Sequence, residues 1–258
     1  MSYTDQLDTN KLEAKVKAVY QDVAQSPDED FHFEMGRPLA ERLGYDPANL
    51  DQVPQAAVDS FAGVGYHFDL AAIEPGERVL DLGSGSGMDV FVASIHAGET
   101  GEVVGLDMTD EQLKKARQLR DDGGFENVRF EHGYIESLPF DDGTFDIVIS
   151  NGVINLSPEK ERVFEEIRRV LGSDGRLALS DIISEEQMPE SIKTSADLWA
   201  ACIGGAMQVD NYTDALEESG LEVATKRRND EYAFISDQAA GACEKYGVNS
   251  ISVLARMD

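Results

Sequence analysis

The residues of this chain that could do chemistry begin in a glycine-rich stretch, VLDLGSGSGMD. Three alternating glycines follow an apolar run there: Gly83, Gly85 and Gly87. A carboxylate, Asp81, stands two residues before the first of them. A glycine-rich loop after a strand lets the backbone approach a bound ligand closely. A dinucleotide fingerprint would read G-x-G-x-x-G, but the third residue after Gly85 is Met88, which disfavours a dinucleotide.

The carboxylates near this loop favour a cationic ligand over a pyrophosphate. Asp81 would oppose a phosphate, whereas it suits ammonium and sulfonium groups. S-adenosylmethionine carries both of these groups. A second carboxylate, Asp107, ends the next apolar run, VVGLDM, where an acid can accept hydrogen bonds from two ribose hydroxyls. Met108 beside it is placed to lie on the adenine. The pattern therefore predicts an S-adenosylmethionine site; the alternative is a tight turn without a ligand.

Strands and helices alternate after residue 76, and this alternation predicts the fold class. Five brief runs rich in Val, Ile, Leu or Phe read as strands: RVLDL, EVVGLD, NVRFEHG, FDIVISN and RLALSDI. Two more strands, LEVATKRR and SISVLARM, are expected in the tail. Helical patterns separate them, which implies right-handed βαβ units. We therefore expect an α/β fold with a doubly wound, mainly parallel, seven-stranded sheet of the Rossmann-like type.

Helix signals predict the ends of several elements and the domain organisation. A first amphipathic helix should start at Lys11 behind an Asn10 cap. The TDEQ pattern predicts a capping box at Thr109, and a later helix should run from Ser157 to Gly172. We expect residues 1–70 to form an N-terminal helical cap. Residues 71–258 would form the ligand-binding domain, with a lid insertion at about 183–210.

The charge of the chain is strongly negative, with 50 acidic and 22 basic residues and a formal net charge of -28. Such a surface repels phosphate backbones and anionic lipids, so we expect no nucleic-acid or membrane partner. Dispersed acids are typical of adaptation to high salt, where a melting temperature that rises with KCl would be expected; the alternative is an ordinary acidic protein. The longest uncharged apolar stretch, LWAACIGGAM, is too short to span a bilayer, which predicts a soluble cytoplasmic protein.

The cysteines and histidines show no paired ligand spacing. They are Cys202, Cys243, His32, His67, His96 and His132. We therefore predict neither a metal site nor a disulfide framework, and we expect the histidines to be structural or to lie on the surface.

Four segments resemble successive motifs of class I S-adenosylmethionine-dependent methyltransferases: VLDLGSGSGMD, VVGLDM, HGYIESLPFDDGTFDIVIS and VLGSDGRLALSDI. More narrowly, FAGVG, SNGVINLSPEKERVFEEIRRVL and WAACIGGA resemble arsenite methyltransferases. The resemblance implies cofactor contacts by Asp81, Gly83, Ser84, Gly85 and Gly87 in the loop, Asp107 and Met108 at ribose and adenine, Tyr134 and Ile135 at the adenine rim, and Asn151 at the methionine moiety. Tyr134 departs from the acid that is usual in the general pattern.

The resemblance does not extend to the residues that would hold the methyl acceptor. Arsenite methyltransferases are expected to hold trivalent arsenic with cysteine thiolates, which suit a soft centre. The first of three such positions is Val64 here and the second is Gly152, so that Cys202 in WAACIGGA alone remains. Cys202 is a candidate substrate thiol in the lid, or else a small buried residue. No side chain stands out as a general base.

Three functions remain open at this stage. The first is a methyltransferase of the arsenite methyltransferase type that acts on a small acceptor, with arsenite as one candidate. The second is a methyltransferase for a small organic acceptor such as a quinone or lipid precursor, and the absent thiols favour it. The third is a cofactor-binding protein without turnover. The sequence does not determine the oligomeric state.

Overall fold

The fold is a twisted sheet with helices on both faces. The computed structural model describes residues 8–27, 29, 31, 33–195, 198, 199, 202–235 and 237–257. The strands are β1 (Arg78–Leu82), β2 (Glu102–Asp107), β3 (Val128–His132), β4 (Phe145–Asn151), β5 (Leu171–Ser184), β6 (Met207–Gln208), β7 (Leu221–Arg228) and β8 (Asn249–Met257). Their order in the sheet is β3-β2-β1-β4-β5-β8-β7, and β6 pairs with the end of β5. The pairings are parallel except those of β8 with β5 and β7.

From β1 onward the helices alternate with the strands as the sequence predicts, except between β3 and β4, and several helices precede β1. They are α1 (Thr9–Gln25), α2 (Gly36–Leu43), α3 (Pro47–Leu50), α4 (Gln55–Asp59), α5 (Phe68–Ala71), α6 (Met88–Ala97), α7 (Asp110–Gly123), α8 (Lys160–Val170), α9 (Glu190–Lys193), α10 (Val209–Glu218) and α11 (Asp237–Tyr246), with a 3₁₀ helix at Ile154–Leu156. The prediction of a doubly wound, mainly parallel α/β sheet is confirmed, and the two-residue β6 is an addition to it.

Apolar side chains on the two faces of the sheet form two separate clusters. Successive residues of β1 alternate between them: Val79 packs with the cluster that includes α2 to α7, and Leu80 packs with the cluster that includes α8 and α10. This period of two follows from the pleat of a strand. Both faces of the central strands are therefore dry, which explains why these strands read as continuous apolar runs.

The order of the strands creates a possible ligand site at the carboxyl ends of the central strands. The chain moves outward from β1 through β2 to β3, and then returns to pair β4 with the other side of β1. In open α/β sheets the ligand lies beyond the carboxyl ends of the strands at such a switch. Residues that follow β1, β2 and β4 therefore converge.

Several helix ends differ from the predictions. α1 is capped by Asp8, whose carboxylate accepts the Lys11 N–H at 3.0 Å, rather than by Asn10. The capping box at Thr109 does not form, because its side chain caps no helical N–H. α8 begins at Lys160, later than the predicted Ser157, and ends at Val170 because the chain enters β5 directly.

The structure also bears on the predicted N-terminal cap and on the membrane. Residues of α2 to α5 share a hydrophobic cluster with the sheet, while Leu12 and Val16 of α1 pack with Trp199. The division at residue 70 stays a prediction.

Over the described part of the chain, no helix combines the length and the apolarity needed to cross a membrane.

Candidate functional site

A cavity of ≈ 460 Å³ opens at the carboxyl ends of β1, β2 and β4. Its volume lies in the range of small-molecule sites. The sheet order predicts a ligand at this place, and the glycine loop forms one wall of the cavity. Nine of the sequence-predicted cofactor residues line it: Asp81, Gly83, Ser84, Gly85, Asp107, Met108, Tyr134, Ile135 and Asn151.

The glycine loop is held by the end of the neighbouring strand. The N–H groups of Gly83 and Ser84 donate to the Leu106 carbonyl at 2.8 and 3.0 Å. At Gly83 φ is +70°, and a Cβ there would lie 2.4 Å from the Val153 side chain. A larger residue would therefore meet both a strained backbone and a packed neighbour.

Gly87 is placed differently from the other two glycines, because it does not line the cavity. It is the N-cap of α6 with φ +94°, and a Cβ there would lie 2.8 Å from the Phe130 ring. The structure thus gives Gly87 a role in the turn and in helix packing. A direct contact with a ligand in the cavity is not what its position indicates.

Two polar groups of the cavity wall are left without partners. Asp81 is 2% exposed, and among the described residues no hydrogen bond reaches its carboxylate. Burial raises the pKa of Asp81 well above its usual range, and the nearby carboxyls of Asp89 and Asp107 raise it further. The hydroxyl of Ser84 is also buried without a partner in the described part of the chain. Buried polar groups are normally satisfied, so these two indicate a ligand with donors and charge of its own.

The Asp107 carboxylate accepts hydrogen bonds from the backbone of the glycine loop and of the residues that follow β2. Its Oδ2 accepts the Gly85 N–H at 2.9 Å and its Oδ1 accepts the Thr109 N–H at 2.8 Å. Burial raises the pKa of Asp107, and these hydrogen bonds oppose the rise. Each carboxylate oxygen can accept more than one hydrogen bond, so ribose hydroxyls remain acceptable partners. This interaction also explains why Thr109 does not form the predicted capping box.

The far end of the cavity is closed by α1. Tyr134 is 39% exposed, and its hydroxyl donates to Glu13 and accepts from the Lys17 ammonium, each at 2.9 Å. Leu12 and Val16 of the same helix line the cavity with Met108 and Ile135. The sequence predicted α1 as an amphipathic helix but did not assign its apolar face to the site. A helix that covers a pocket and one that covers a core have the same pattern.

Asn151 joins two residues that the sequence reading did not select. Its Nδ2 lies 3.1 Å from both the Tyr45 hydroxyl and Asp89 Oδ2, and the Tyr45 hydroxyl donates to Asp89 Oδ1 at 2.7 Å. Asp89 lines the cavity, and burial raises its pKa to about 6. Asp89 is the last residue of the VLDLGSGSGMD motif, so the motif could have identified it as a site residue. Nothing in the sequence around Tyr45 indicates a role in the site, because only the fold brings Tyr45 close to Asp89.

Cys202 lies outside the cavity. It is buried in an apolar cluster with Val64, Ile182 and Met188, and burial raises the pKa of its thiol to about 12. Its φ of 60° places it in the left-handed region. A neutral, enclosed thiol is a poor nucleophile and a poor ligand. The position favours the interpretation of Cys202 as a small buried residue.

Two of the three positions at which the resemblance implies thiols are adjacent in space, and the third lies in the same hydrophobic cluster as one of them. A Cβ on Gly152 would lie 3.1 Å from Val64 Cγ1, and Val64 shares its cluster with Cys202. We call residues 61–66, Gly152 and Cys202 the acceptor side, and residues 81–89 and 107–109 the cofactor side. The acceptor side of this chain is therefore apolar where paired thiols are expected.

The described histidines, His67, His96 and His132, do not contribute to the cavity wall. His67 is fully buried and neither ring nitrogen has a partner in the described residues, and burial lowers its pKa to about 3. His32 lies outside the described residues. Within the part of the chain that is described, no group of three His, Cys, Asp or Glu side chains could hold a metal ion.

Comparisons with known proteins agree with the site. Residues 73–220 match the family described as methyltransferase domain. An arsenite methyltransferase of Halobacterium salinarum is 43% identical over 199 residues, which are 77% of this chain and 51% of that protein. The human arsenite methyltransferase is 46% identical over 138 residues, covering 50% of this chain and 37% of that protein. The chain thus spans about half or less of the length of the curated relatives it matches.

A solved structure covers more of the chain. The crystal structure of CrArsM, an arsenic (III) S-adenosylmethionine methyltransferase from Chlamydomonas reinhardtii, is 31% identical, with a TM-score of 0.65. The match covers 87% of this chain and 74% of that one. The chain therefore belongs to the class I S-adenosylmethionine-dependent methyltransferases. Within that class it is close to the arsenite methyltransferase family.

The residues of the cofactor side fit S-adenosylmethionine, the cofactor of this class. The unpartnered Asp81 carboxylate suits an ammonium group, and the unpartnered Ser84 hydroxyl supplies a further polar contact. No lysine, arginine or histidine occurs among the cavity-lining residues of the described chain. A cavity with this charge favours a cation over a pyrophosphate.

Proposed function

We propose that this chain transfers the methyl group of S-adenosylmethionine to a small acceptor. The observation that carries the proposal is the cavity at the strand switch, with the buried and unpartnered carboxylate of Asp81 in its wall. The cofactor supplies a methyl group on a sulfonium centre that is already a good leaving group. The chain then has to bind, orient and keep out water, and it needs no nucleophile of its own.

The described residues perform these tasks on separate parts of the site. Asp81 and Ser84 would hold the methionine end, and Asp107 the ribose. Gly83 and Gly85 let the backbone come close. Met108, Ile135 and Tyr134 would enclose the adenine, with α1 above them. The helical cap and the insertion at 183–210 are proposed to close over the site, since Leu12 and Val16 line the cavity and pack against Trp199.

Arsenite is one candidate acceptor, because the relatives named above are arsenite methyltransferases. The apolar acceptor side favours a second candidate, a small organic molecule. Val64 and Gly152 leave Cys202 as the one thiol at the implied positions, and one buried thiol cannot chelate arsenic as two or three can. The net charge of -28 supports a small, non-anionic substrate and disfavours nucleic acid and anionic membranes as partners.

Incubation with methyl-labelled S-adenosylmethionine at molar KCl tests the proposal. One arm contains arsenite and glutathione, and the other contains a small-molecule metabolite extract. Label in methylated arsenic supports the first acceptor, and label in an organic product supports the second. Cofactor binding by calorimetry without transfer in either arm would contradict turnover and leave a binding protein. Absence of cofactor binding would overturn the site itself.

A further inference from the structure

Asp89 is a buried carboxylate of the cavity wall whose bonding partners come from two distant parts of the chain. It is 6% exposed and follows the glycine loop at the start of α6. Oδ1 accepts the Tyr45 hydroxyl at 2.7 Å, and Oδ2 accepts Asn151 Nδ2 at 3.1 Å. Both oxygens are thus occupied by protein groups. These hydrogen bonds hold the Asp89 side chain in a network with Tyr45 and Asn151.

Asn151 carries this network onward to the acceptor side. Its Oδ1 accepts the Val64 N–H at 2.8 Å, and its Nδ2 lies 3.1 Å from the Gly65 carbonyl. The side-chain amide must therefore present its oxygen to Val64 and its nitrogen to Asp89. A flipped amide would direct its oxygen at the Asp89 carboxylate and at the Gly65 carbonyl, which repel it. Asp89, the Gly65 carbonyl and the Val64 N–H thereby determine together which way the amide faces.

The segment that the amide holds, residues 61–66 of the acceptor side, forms part of the cavity wall. Phe61, Ala62 and Gly63 line the cavity, while Val64 packs in the apolar cluster behind it. The segment passes very close to the network, since a Cβ on Gly63 would lie 2.6 Å from Asn151 Nδ2. Any rotation of Asn151 therefore moves the wall that an acceptor would face.

Tyr45 completes the network from the helical part of the chain. Its hydroxyl accepts from Asn151 Nδ2 while it donates to Asp89, and its ring packs edge-on against Phe61 at 5.1 Å and Tyr66 at 5.0 Å. The Tyr45 side chain thus contacts Asp89 at the start of α6, Asn151 at the end of β4, and two aromatic rings of segment 61–66. It links its own region of the chain to these three others.

We propose that Asp89 and Tyr45 are positioning residues, which act through Asn151 to align segment 61–66 with the glycine loop. The acceptor and the methyl group are then presented to each other in one geometry. The alignment of reacting groups is the main contribution a protein can make to such a transfer. The inference rests on the proposed function for its catalytic consequence, whereas the structural consequence can be measured without any acceptor.

The test compares Asp89→Asn and Tyr45→Phe with a matched control, Tyr212→Phe. Tyr212 also donates its buried hydroxyl to a carboxylate, Asp181 Oδ2, at 2.9 Å, but it belongs neither to the network nor to segment 61–66. Amide hydrogen exchange at Val64 should accelerate about tenfold or more in both network variants and stay unchanged in the control. The affinity for S-adenosylhomocysteine, measured by calorimetry, should change less than about threefold, because neither variant removes a predicted cofactor contact.

Where an acceptor is turned over, kcat should fall by about tenfold or more in both network variants, with KM for the cofactor little changed. Unchanged exchange at Val64 would overturn the proposal. Loss of S-adenosylhomocysteine binding with normal exchange would assign Asp89 to the cofactor instead. If Asp89→Asn fails to fold, the nearly isosteric Tyr45→Phe decides the matter. A wild-type protein that binds no cofactor would refute the proposed function, and the exchange result would still stand or fall separately.

Discussion

The cofactor side and the acceptor side of the cavity are built by different means. On the cofactor side, Gly85 and Thr109 donate backbone N–H groups to Asp107, so neighbouring stretches of chain hold one another. On the acceptor side, Val64 is held by Asn151 from β4 and by Ser250 from β8, whose hydroxyl donates to the Val64 carbonyl at 2.6 Å. The first side is local in sequence, and the second is assembled from remote elements.

This difference explains why the two sides carry different amounts of information about function. A loop that binds a common cofactor requires glycines and acids at fixed positions after the strands. These positions are the same whatever the methyl acceptor is. The acceptor side has no such requirement. In this chain Val64 and Gly152 meet where the family resemblance implies thiols, and Cys202 is enclosed behind them.

The largest expected effect is on the cofactor side. Asp107→Ala removes the acceptor for two loop N–H groups and the predicted ribose contact. Hydrogen bonds to charged groups contribute about 1.5–3 kcal/mol each, so we expect S-adenosylhomocysteine to bind about 100-fold more weakly in calorimetry. Glu99→Ala is the control, because it removes an exposed carboxylate on the opposite edge of the sheet. Equal binding by the two variants would contradict the assignment of Asp107.

The next largest effect should come from restoring thiols on the acceptor side. In the double variant Val64→Cys/Gly152→Cys, two thiols would face each other near Cys202, and the binding of arsenite should tighten about tenfold or more through chelation. S-adenosylhomocysteine affinity should be unchanged. The matched control is Val64→Ala/Gly152→Ala, which has the same strained backbone at residue 152, where φ is +74°. Arsenite binding that is equally weak in both variants would break the correspondence of these positions.

A smaller effect concerns pH and arises from two buried carboxyls of the cofactor side, Asp81 and Asp89. Burial raises the pKa of Asp81 and Asp89 in the folded protein, so both hold protons at a pH where they would be ionised in the unfolded chain. Their contribution to stability is therefore greatest below about pH 4 and is lost as the pH rises through the folded pKa, which for Asp89 is about 6.

A cationic ligand beside Asp81 favours the ionised form, so binding should release protons. We expect the affinity for S-adenosylmethionine to rise as the pH rises through the raised pKa of Asp81, by at most about tenfold per unit for each proton released. Calorimetry in buffers of different ionisation enthalpy would count the protons. In Asp81→Asn the pH dependence should shrink, and a dependence of wild-type size there would refute the role of Asp81.

The smallest effect is expected at Cys202 itself. Because burial raises the pKa of its thiol to about 12, alkylation at pH 8 should be slower than at the half-buried Cys243, as peptide mass spectrometry would show. Cys202→Ala should leave S-adenosylhomocysteine affinity unchanged. Faster labelling of Cys202 than of Cys243 would show that the acceptor side opens in solution.

The sequence by itself determined the sheet and most of the cofactor side. The bounds of β1, β2, β4 and β7 match the predicted runs. These features depend on local patterns: apolar runs make buried strands, and a loop after β1 with Asp81 and its glycines needs no distant partner to be recognised. The absence of the predicted capping box also has a local cause, since Asp107 accepts the Thr109 N–H.

Only the tertiary structure decided the rest of the site. It placed Gly87 against Phe130 instead of in the cavity wall, enclosed Cys202, and brought Tyr45 to Asp89 across 44 positions of the chain. Such contacts depend on how separate elements pack, and composition or spacing near either residue does not encode the partner. The cofactor side could therefore be predicted from stretches of about ten residues, whereas the acceptor side required the whole fold.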